Sequence, residues 1–158
     1  MAGTFSQIYI QIVIVVKKRD NLIPKAHREE LFEYMSGIIR NKGQKSIIVN
    51  GVGNHVHIFV GLKPDMKISD LARDIKNNST NFINKMKWIN KKFSWQAGYG
   101  AFSYAESQVE VVFNYIKNQE NHHKKKTFKE EYLEFLKKFC VDYNEKYLFE
   151  WIDDEPEE

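Results

Sequence analysis

Two short pairs of side chains have residue types and spacings that could perform chemistry together. His55 and His57 flank Val56 in a mostly apolar run. Because alternate side chains of a β-strand share one face, both imidazoles would project to the same side and could bind one metal ion. Tyr115 and Gln119 lie four positions apart, which places them one turn apart on a helix. A phenol can act as a nucleophile and an amide oxygen suits a hard cation, so the two pairs predict metal-assisted covalent chemistry.

Each pair also has a purely structural interpretation, which the sequence leaves open. A histidine pair on a strand can be a polar face whose imidazoles are hydrogen-bonded to their neighbours. Tyr115 flanks an apolar stripe on the predicted helix, so its ring can be a half-buried part of the core. That stripe consists of Val109, Val112, Phe113 and Ile116. The Gln119 amide on the same face as the phenol favours the functional interpretation.

The pattern of apolar residues and turn residues predicts the elements that must hold these side chains. Strands are predicted at residues 8–16, 46–50 and 55–60, with a fourth, irregular strand within 93–102. Helices are predicted from Pro24 to Gly43, over 70–87, from Ser107 to about His123 and from Thr127 onward. This βαββαβ order with additional C-terminal helices predicts an α+β fold, a ferredoxin-like sandwich with a largely antiparallel sheet. We expect one domain over residues 1–152 and a disordered acidic tail at 153–158.

Three motifs, taken in their order along the chain, resemble a known family. They are His55-Val56-His57, then Trp95-Gln96 followed by Gly-Tyr-Gly-Ala-Phe-Ser at 98–103, then Tyr115-Ile-Lys-Asn-Gln119 followed by His-His-Lys-Lys at 122–125. Together they resemble the single-tyrosine HUH transposases of single-strand insertion sequences, and the domesticated relatives that act on repetitive extragenic palindromes. The resemblance covers Tyr9 to Phe128. Asn54 stands where many members have an acidic residue, which weakens the expectation that this position supports the metal ligands.

The resemblance implies a DNA transposase, an endonuclease that also rejoins single strands, whose substrate is single-stranded DNA with hairpins. His55, His57 and Gln119 would hold Mg²⁺ or Mn²⁺, and Tyr115 would attack the scissile phosphorus to give a 5′-phosphotyrosine link. It also implies a homodimer in which the histidine pair and the tyrosine helix come from different subunits. The irregular segment containing Gly98 and Gly100 could let that helix swing.

The charge distribution points to a polyanionic partner. Residues 127–158 carry 4 basic and 11 acidic side chains, whereas residues 1–126 carry the remaining 20 basic and 10 acidic ones. A positive body attracts nucleic acid, although a basic surface can also serve solubility alone. The candidate phosphate-binding residues are Lys17, Lys18, Arg19, His122, Lys124 and Lys125. The second of these two runs can equally complement the C-terminal end of a helix.

Two other features are more typical of structure than of binding. The aromatic residues of the irregular segment, Trp95, Tyr99, Phe102 and Tyr104, favour core packing over base stacking. The polar face of the predicted helix at 70–87, which is rich in asparagine and lysine, favours contact with solvent.

Several classes of protein are excluded or disfavoured by composition. The longest purely apolar run, at 12–16, is far shorter than the ~20 residues that span a bilayer. The single cysteine, Cys140, excludes an intramolecular disulfide and a cysteine-rich zinc site. We therefore expect a cytoplasmic protein without a membrane partner. A domesticated enzyme that processes palindromic repeats, or a non-catalytic nucleic-acid-binding module, are the alternatives to an active transposase.

Overall fold

The structure is a computed structural model, and it describes residues 3–19, 22–123 and 127–138. The strands are β1 (Tyr9–Val15), β2 (Lys45–Gly51), β3 (His55–Gly61) and β4 (Gly100–Tyr104). The helices are α1 (Arg28–Asn41), α2 (Ile68–Met86), α3 (Val109–Lys117), α4 (Gln119–His123) and α5 (Phe128–Lys138). Short 3-10 helices cover Lys17–Arg19, Lys25–His27 and Glu106–Gln108. The order of strands and helices up to β4 confirms the predicted βαββαβ core.

The four strands form one antiparallel sheet in the order β2-β3-β1-β4. This order and the antiparallel pairing confirm the expected α+β, ferredoxin-like arrangement. In the central pair, His57 lies opposite Val13 and His55 lies opposite Val15. The histidine-bearing strand β3 is therefore an inner strand, and residues 55–60 are buried throughout.

One face of the sheet carries the main apolar core. Val56, Ile58 and Val60 of β3 project to this face together with Ile12 and Ile14 of β1. Helices α1 and α2 cover it, because each has a helical stripe of buried apolar residues. These stripes are Leu31, Met35 and Ile39 in α1 and Leu71, Ile75 and Ile83 in α2.

The opposite face carries His55 and His57 and is covered by the C-terminal helices. Phe128, Tyr132 and Leu136 of α5 pack on Val13 and Val15 of β1. Val112 and Ile116 of α3 pack on Phe59 of β3. Helix α5 thus covers this face of the sheet, and the tail at 153–158 lies outside the described residues.

The prediction of one continuous helix from Ser107 to His123 is wrong, because the structure has two helices there. Helix α3 ends at Lys117, Asn118 leaves helical geometry at φ −98° and ψ 26°, and α4 begins at Gln119. The backbone N–H of Asn118 donates to the carbonyls of Asn114 and Tyr115 at 3.2 and 3.3 Å, and its side chain also binds the Asn114 carbonyl. Asparagine favours such local bonds over helix continuation, which explains the break.

Two residues of the polar face of α2, Lys76 and Asn84, hold the segment between α2 and β4, whereas Asn77, Asn78, Asn81 and Lys85 are exposed to solvent, as expected. Lys76 Nζ donates to the carbonyls of Gln96 and Gly98 at 2.8 and 2.9 Å. Asn84 accepts from the Phe93 N–H and donates to its carbonyl. Trp95 and Phe102 are buried, as expected, and the Trp95 indole donates to Ser79, whereas the core packing expected for Tyr99 is wrong because that residue is exposed. Within the described part of the chain, no helix combines the length and apolar character needed to cross a bilayer.

Candidate metal centre and nucleophile

The two histidines face the same side of the sheet and are completely buried. Their ring centroids lie 5.2 Å apart, with the planes at 76°. Gly51 permits the tight β2–β3 connection that starts the strand at His55, because a Cβ atom at Gly51 would collide with the His55 carbonyl and approach Val56 Cα to 2.8 Å. The turn at the head of β3 therefore fixes the position of the first imidazole.

Each imidazole is oriented by a side-chain amide. His55 Nδ1 lies 2.7 Å from Asn54 Oδ1, and His57 Nδ1 lies 2.6 Å from Gln11 Oε1. An amide oxygen only accepts, so each Nδ1–H donates to it, and each Nε2 points towards the other side chains of the site. Gln11 is in turn fixed because its amide nitrogen donates to the Tyr104 hydroxyl at 2.7 Å.

These contacts correct the expectation that an asparagine weakens support at position 54. Asn54 is 2% exposed and its oxygen makes the contact that orients His55. An amide oxygen can hold the imidazole proton just as a carboxylate oxygen can, without adding negative charge. Partners of this kind are what fix the tautomer of a metal-binding histidine.

Tyr115 lies on α3 beside the histidine pair. Its ring centroid is 6.1 Å from that of His57, with the planes nearly perpendicular at 88°. Burial raises the pKa of the Tyr115 phenol well above its usual value, and the neighbouring Glu131 carboxylate raises it further. The phenol is therefore protonated. Tyr115 also lines an open cavity of about 190 Å³ between α3 and α5.

Gln119 reaches the same site from the start of α4. Its Oε1 atom lies 3.3 Å from His55 Nε2, and its side chain is completely buried. Its amide nitrogen makes no hydrogen bond among the described residues. The break at Asn118 separates Gln119 from the helix of Tyr115, yet both side chains still face the histidines.

A strand residue holds this helix break against the sheet. The side-chain amide of Asn50 on β2 donates to the carbonyls of Ile116 and Lys117 at 2.9 and 3.1 Å. These are carbonyls of the last turn of α3, which have no partner within the helix. Asn50 lies opposite His57 in the sheet, so one side chain connects the helix of Tyr115 with the strand of the histidines.

Glu131 on α5 is a member of the site that the sequence interpretation missed. Its Oε1 atom lies 2.9 Å from His57 Nε2 and 4.0 Å from His55 Nε2, and the residue is 3% exposed. One ligand atom from each of His55, His57 and Glu131 falls within a span of 4.8 Å, a spacing that could hold a metal ion. The sequence feature that could have identified Glu131 is an acidic residue among the apolar residues on the buried side of an amphipathic helix.

Close packing places Glu131 there. Tyr132, the next residue of α5, lies so near β4 that a Cβ atom at Gly100 would collide with its hydroxyl. Gly100 is paired with Val13 inside the sheet. The lack of a side chain at Gly100 thus allows the close approach of α5, and a swinging motion of the segment stays a prediction.

The predicted basic residues are only partly described. Lys17 and Lys18 are exposed at the end of β1, and Arg19 completes the same 3-10 helix. His122 belongs to α4, whereas Lys124 and Lys125 lie outside the described residues. The structure therefore brings His55, His57, Tyr115 and Gln119 together with Glu131 and places Lys17 and Lys18 at the surface.

Two solved structures resemble the fold of this chain. A solved structure of a Deinococcus radiodurans protein, provisionally assigned as a transposase, is 17% identical and has a TM-score of 0.62, covering 75% of this chain and 95% of that chain. A REP-associated tyrosine transposase bound to a REP hairpin is 14% identical and has a TM-score of 0.56, covering 75% of this chain and 70% of that chain. At these identities the likeness concerns the fold. No curated protein matches the chain.

The family comparison goes further than the fold. The model described as "Transposase IS200 like" matches residues 4–119. That span begins before β1 and ends at Gln119, so it includes both histidines and the helix of Tyr115. By this match over most of its length, the chain belongs to the IS200-like transposase family.

Proposed function

We propose that this protein cuts and rejoins single-stranded DNA, with Tyr115 as the nucleophile and a divalent cation held by His55, His57 and Gln119. The observation that carries the proposal is the meeting of these groups in one buried site. The Gln119 oxygen lies 3.3 Å from His55 Nε2, and the Tyr115 ring stands edge-to-face with His57 at 6.1 Å between centroids. Membership of a transposase family makes DNA the substrate class.

The donor set fits a divalent cation. The amides of Asn54 and Gln11 accept from Nδ1–H of the two imidazoles, which leaves the Nε2 atoms to coordinate a cation when they are unprotonated. Imidazole nitrogens combined with amide and carboxylate oxygens suit Mn²⁺ and are compatible with Mg²⁺, and Glu131 would be a further oxygen ligand. When bound, the cation would supply Lewis-acid polarisation of the scissile phosphate and positive charge that favours the phenolate.

In the proposed reaction the Tyr115 oxygen forms a bond to phosphorus while the bond from phosphorus to the 3′ oxygen breaks. The phenol loses its proton as the new bond forms, and the departing oxygen takes up a proton to become a 3′ hydroxyl. The product is a 5′-phosphotyrosine link, which conserves the energy of the broken phosphodiester. Another 3′ hydroxyl can therefore displace Tyr115 without ATP, which suits strand transfer better than degradation.

The proposed partners are a DNA hairpin and a second copy of the chain. A hairpin is supported by the structural neighbour that is bound to one. Tyr115 and His57 meet here within one chain, and a homodimer could exchange the tyrosine helices so that the same site forms between subunits. Mixing His57→Ala protein with Tyr115→Phe protein tests this exchange: cleavage returns in the mixture if the subunits share sites and stays absent if each chain acts alone.

Covalent trapping tests the proposed reaction. The substrates are single-stranded oligonucleotides that contain the hairpins flanking the gene, labelled at the 3′ end so that the label stays on the fragment joined to protein. With Mg²⁺ or Mn²⁺ we expect a labelled protein band that is absent with chelator and absent for Tyr115→Phe.

Tyr34→Phe is the matched control, because Tyr34 lies on α1, away from the histidine face, and is stacked on Phe82. It should form the adduct as the unchanged protein does. Adduct formation by Tyr115→Phe at the unaltered level would refute the assignment of the nucleophile. Hairpin binding that is insensitive to chelator and gives no adduct would instead identify a non-catalytic binding module.

A further inference from the structure

A row of hydrogen-bonded side chains on the histidine face of the sheet connects three strands. It consists of His57 on β3, Gln11 on β1 and Tyr104 on β4, with Gln11 between the other two. His57 lies opposite Val13, two positions along β1 from Gln11. Tyr104 lies opposite Tyr9, two positions from Gln11 in the other direction. Such diagonal neighbours are within reach of long side chains, so the row joins the metal site to the edge strand β4.

Gln11 has an accepting end and a donating end, and the two ends have different partners. Its Oε1 atom lies 2.6 Å from His57 Nδ1, whereas its amide nitrogen donates to the Tyr104 hydroxyl at 2.7 Å. Gln11 is completely buried, so bulk water cannot replace either partner. The hydrogen bond to Tyr104 thus keeps the amide oxygen turned towards the imidazole.

Tyr104 is itself held in place by its surroundings. Its ring stands edge-to-face with that of Phe59, with the centroids 5.8 Å apart and the planes at 84°. Burial raises the pKa of the Tyr104 phenol to about 12, although the hydrogen bond from Gln11 lowers it. The hydroxyl therefore stays neutral, and its oxygen is a fixed acceptor for the Gln11 amide.

The orientation of Gln11 matters because His57 has a competing arrangement. Glu131 Oε1 lies 2.9 Å from His57 Nε2, and an ionised carboxylate only accepts. A neutral imidazole whose proton lies on Nε2, facing this carboxylate, has its lone pair on Nδ1 and needs a donor there. The Gln11 amide would supply that donor if it turned over, and Nε2 would then hold a proton instead of coordinating a cation.

We infer that Tyr104 is a positioning residue that, by accepting from Gln11, keeps the Gln11 oxygen on His57 Nδ1 and so reserves Nε2 for the cation. The inference rests on the proposed function, because it concerns His57 as a ligand of the proposed metal ion. In this role Tyr104 does not contact the cation, and it acts on His57 through Gln11. Removal of its hydroxyl should therefore weaken metal binding although every ligand is still present.

Mn²⁺ titration in two backgrounds separates this role from a role in packing. Tyr104→Phe should weaken Mn²⁺ binding about tenfold, which is the lower end of the effect of losing a supporting partner. In the Gln11→Glu background the same change should alter the affinity by less than about twofold, because both oxygens of a carboxylate accept and turning it over changes nothing at His57. An equal loss in both backgrounds would overturn the inference.

Tyr9→Phe is the matched control. Tyr9 lies opposite Tyr104 in the sheet, and its ring also packs on Phe59, with 6.4 Å between the centroids. The control removes the same hydroxyl group from a neighbouring ring and should leave Mn²⁺ affinity unchanged. A loss in Tyr9→Phe as large as that in Tyr104→Phe would contradict the specific role of Tyr104.

Nitrogen NMR of the metal-free protein is a second measurement, which does not depend on the cation. With isotope-labelled histidine, and with the His57 signals assigned by their loss in His57→Ala, a protonated Nδ1 is distinguished from an unprotonated one. We expect a protonated His57 Nδ1 in the unchanged protein and in Tyr9→Phe, and an added population with an unprotonated Nδ1 in Tyr104→Phe. An unchanged Nδ1 signal in Tyr104→Phe would overturn the inference.

The two measurements also distinguish failure of the inference from failure of the proposed function. If Tyr104→Phe adds the population with an unprotonated Nδ1, but the unchanged protein neither binds Mn²⁺ nor forms the Tyr115 adduct, the proposed function is wrong. The orienting role of Tyr104 then stands. If the unchanged protein binds Mn²⁺ and forms the adduct, but Tyr104→Phe changes neither the NMR signal nor the affinity, only the inference is wrong.

Discussion

The two faces of the sheet are built from alternate residues of the same strands but have opposite characters. On the face covered by α1 and α2, Val56 and Ile58 of β3 are part of an apolar core. On the face covered by α3 and α5, His55 and His57 are equally buried, and their neighbours include Gln119 and Glu131. Both faces are thus buried and carry apolar clusters, and the second also holds a group of buried polar side chains.

We infer that one face mainly stabilises the fold, whereas the polar side chains of the other face serve metal binding and reaction. Apolar burial stabilises the fold by roughly 25 cal/mol for each Å² removed from water, whereas buried polar groups are tolerated only when they are hydrogen-bonded or hold an ion. The polar face has such partners in Asn54, Gln11 and Tyr104. We therefore expect changes on the first face to affect unfolding and changes on the second to affect metal binding and reactivity.

The sharpest test replaces neighbours of one strand that point to opposite faces. Ile58→Ala should lower the free energy of unfolding by about 2–5 kcal/mol, because it leaves a cavity in a completely buried apolar layer. His57→Ala should instead lower Mn²⁺ affinity by about 100-fold or more, since it removes a ligand whose supporting contacts alone are worth 10–100-fold. Denaturant titration and Mn²⁺ electron paramagnetic resonance measure the two effects. Similar losses of stability and metal affinity in both variants would contradict the separation of the two faces.

A smaller effect is expected for the carboxylate contributed by α5. Glu131→Gln keeps the shape of the side chain and removes its charge, so Mn²⁺ affinity should fall about tenfold or more, with Mg²⁺ affected in the same direction. Glu130→Gln is the control, because Glu130 is exposed on the same turn of α5. Equal metal affinity in Glu131→Gln and the unchanged protein, measured by the same resonance titration, would remove Glu131 from the ligand set.

The smallest effect is expected for Asn50, which connects β2 to the end of α3. Asn50→Leu removes both hydrogen bonds to the end of α3, which contribute about 1–3 kcal/mol together. The rate of adduct formation at saturating metal and DNA should fall severalfold, because Tyr115 loses its fixed position, while Mn²⁺ affinity changes little. Asn78→Leu on the exposed surface of α2 is the control. An unchanged adduct rate in Asn50→Leu would show that Asn50 does not position Tyr115.

Much of the fold follows from local patterns in the sequence. The β-branched run before Val16 and the helical stripes of α1 and α2 predict the order of elements, and the His-x-His spacing predicts a shared face. The break at Asn118 was missed because the apolar stripe ends at Ile116, so no periodic pattern in the polar residues 119–123 shows whether the helix continues. The sheet order depends on pairing between distant strands, which local periodicity does not encode.

The candidate site was predictable only where a motif is local. His55 with His57 and Tyr115 with Gln119 are each close in sequence, so their spacing carries a signal. Gln11 and Glu131 reach the histidines from other elements, 46 residues before His57 in the case of Gln11. In the sequence, each is only a single polar residue within an apolar strand or on the apolar stripe of a helix. Whether such a residue reaches the histidines depends on how the strands and helices pack together.

The central claim is that the phenol of Tyr115 becomes covalently bonded to the 5′ phosphate of a cut strand. The most direct measurement is mass spectrometry of the protease-digested adduct formed with hairpin DNA and Mn²⁺. We predict that the nucleotide mass is found on the peptide containing Tyr115, at the tyrosine oxygen, and that it disappears with chelator. Cleaved DNA without any protein-bound nucleotide, or a nucleotide attached to another side chain, would contradict the account.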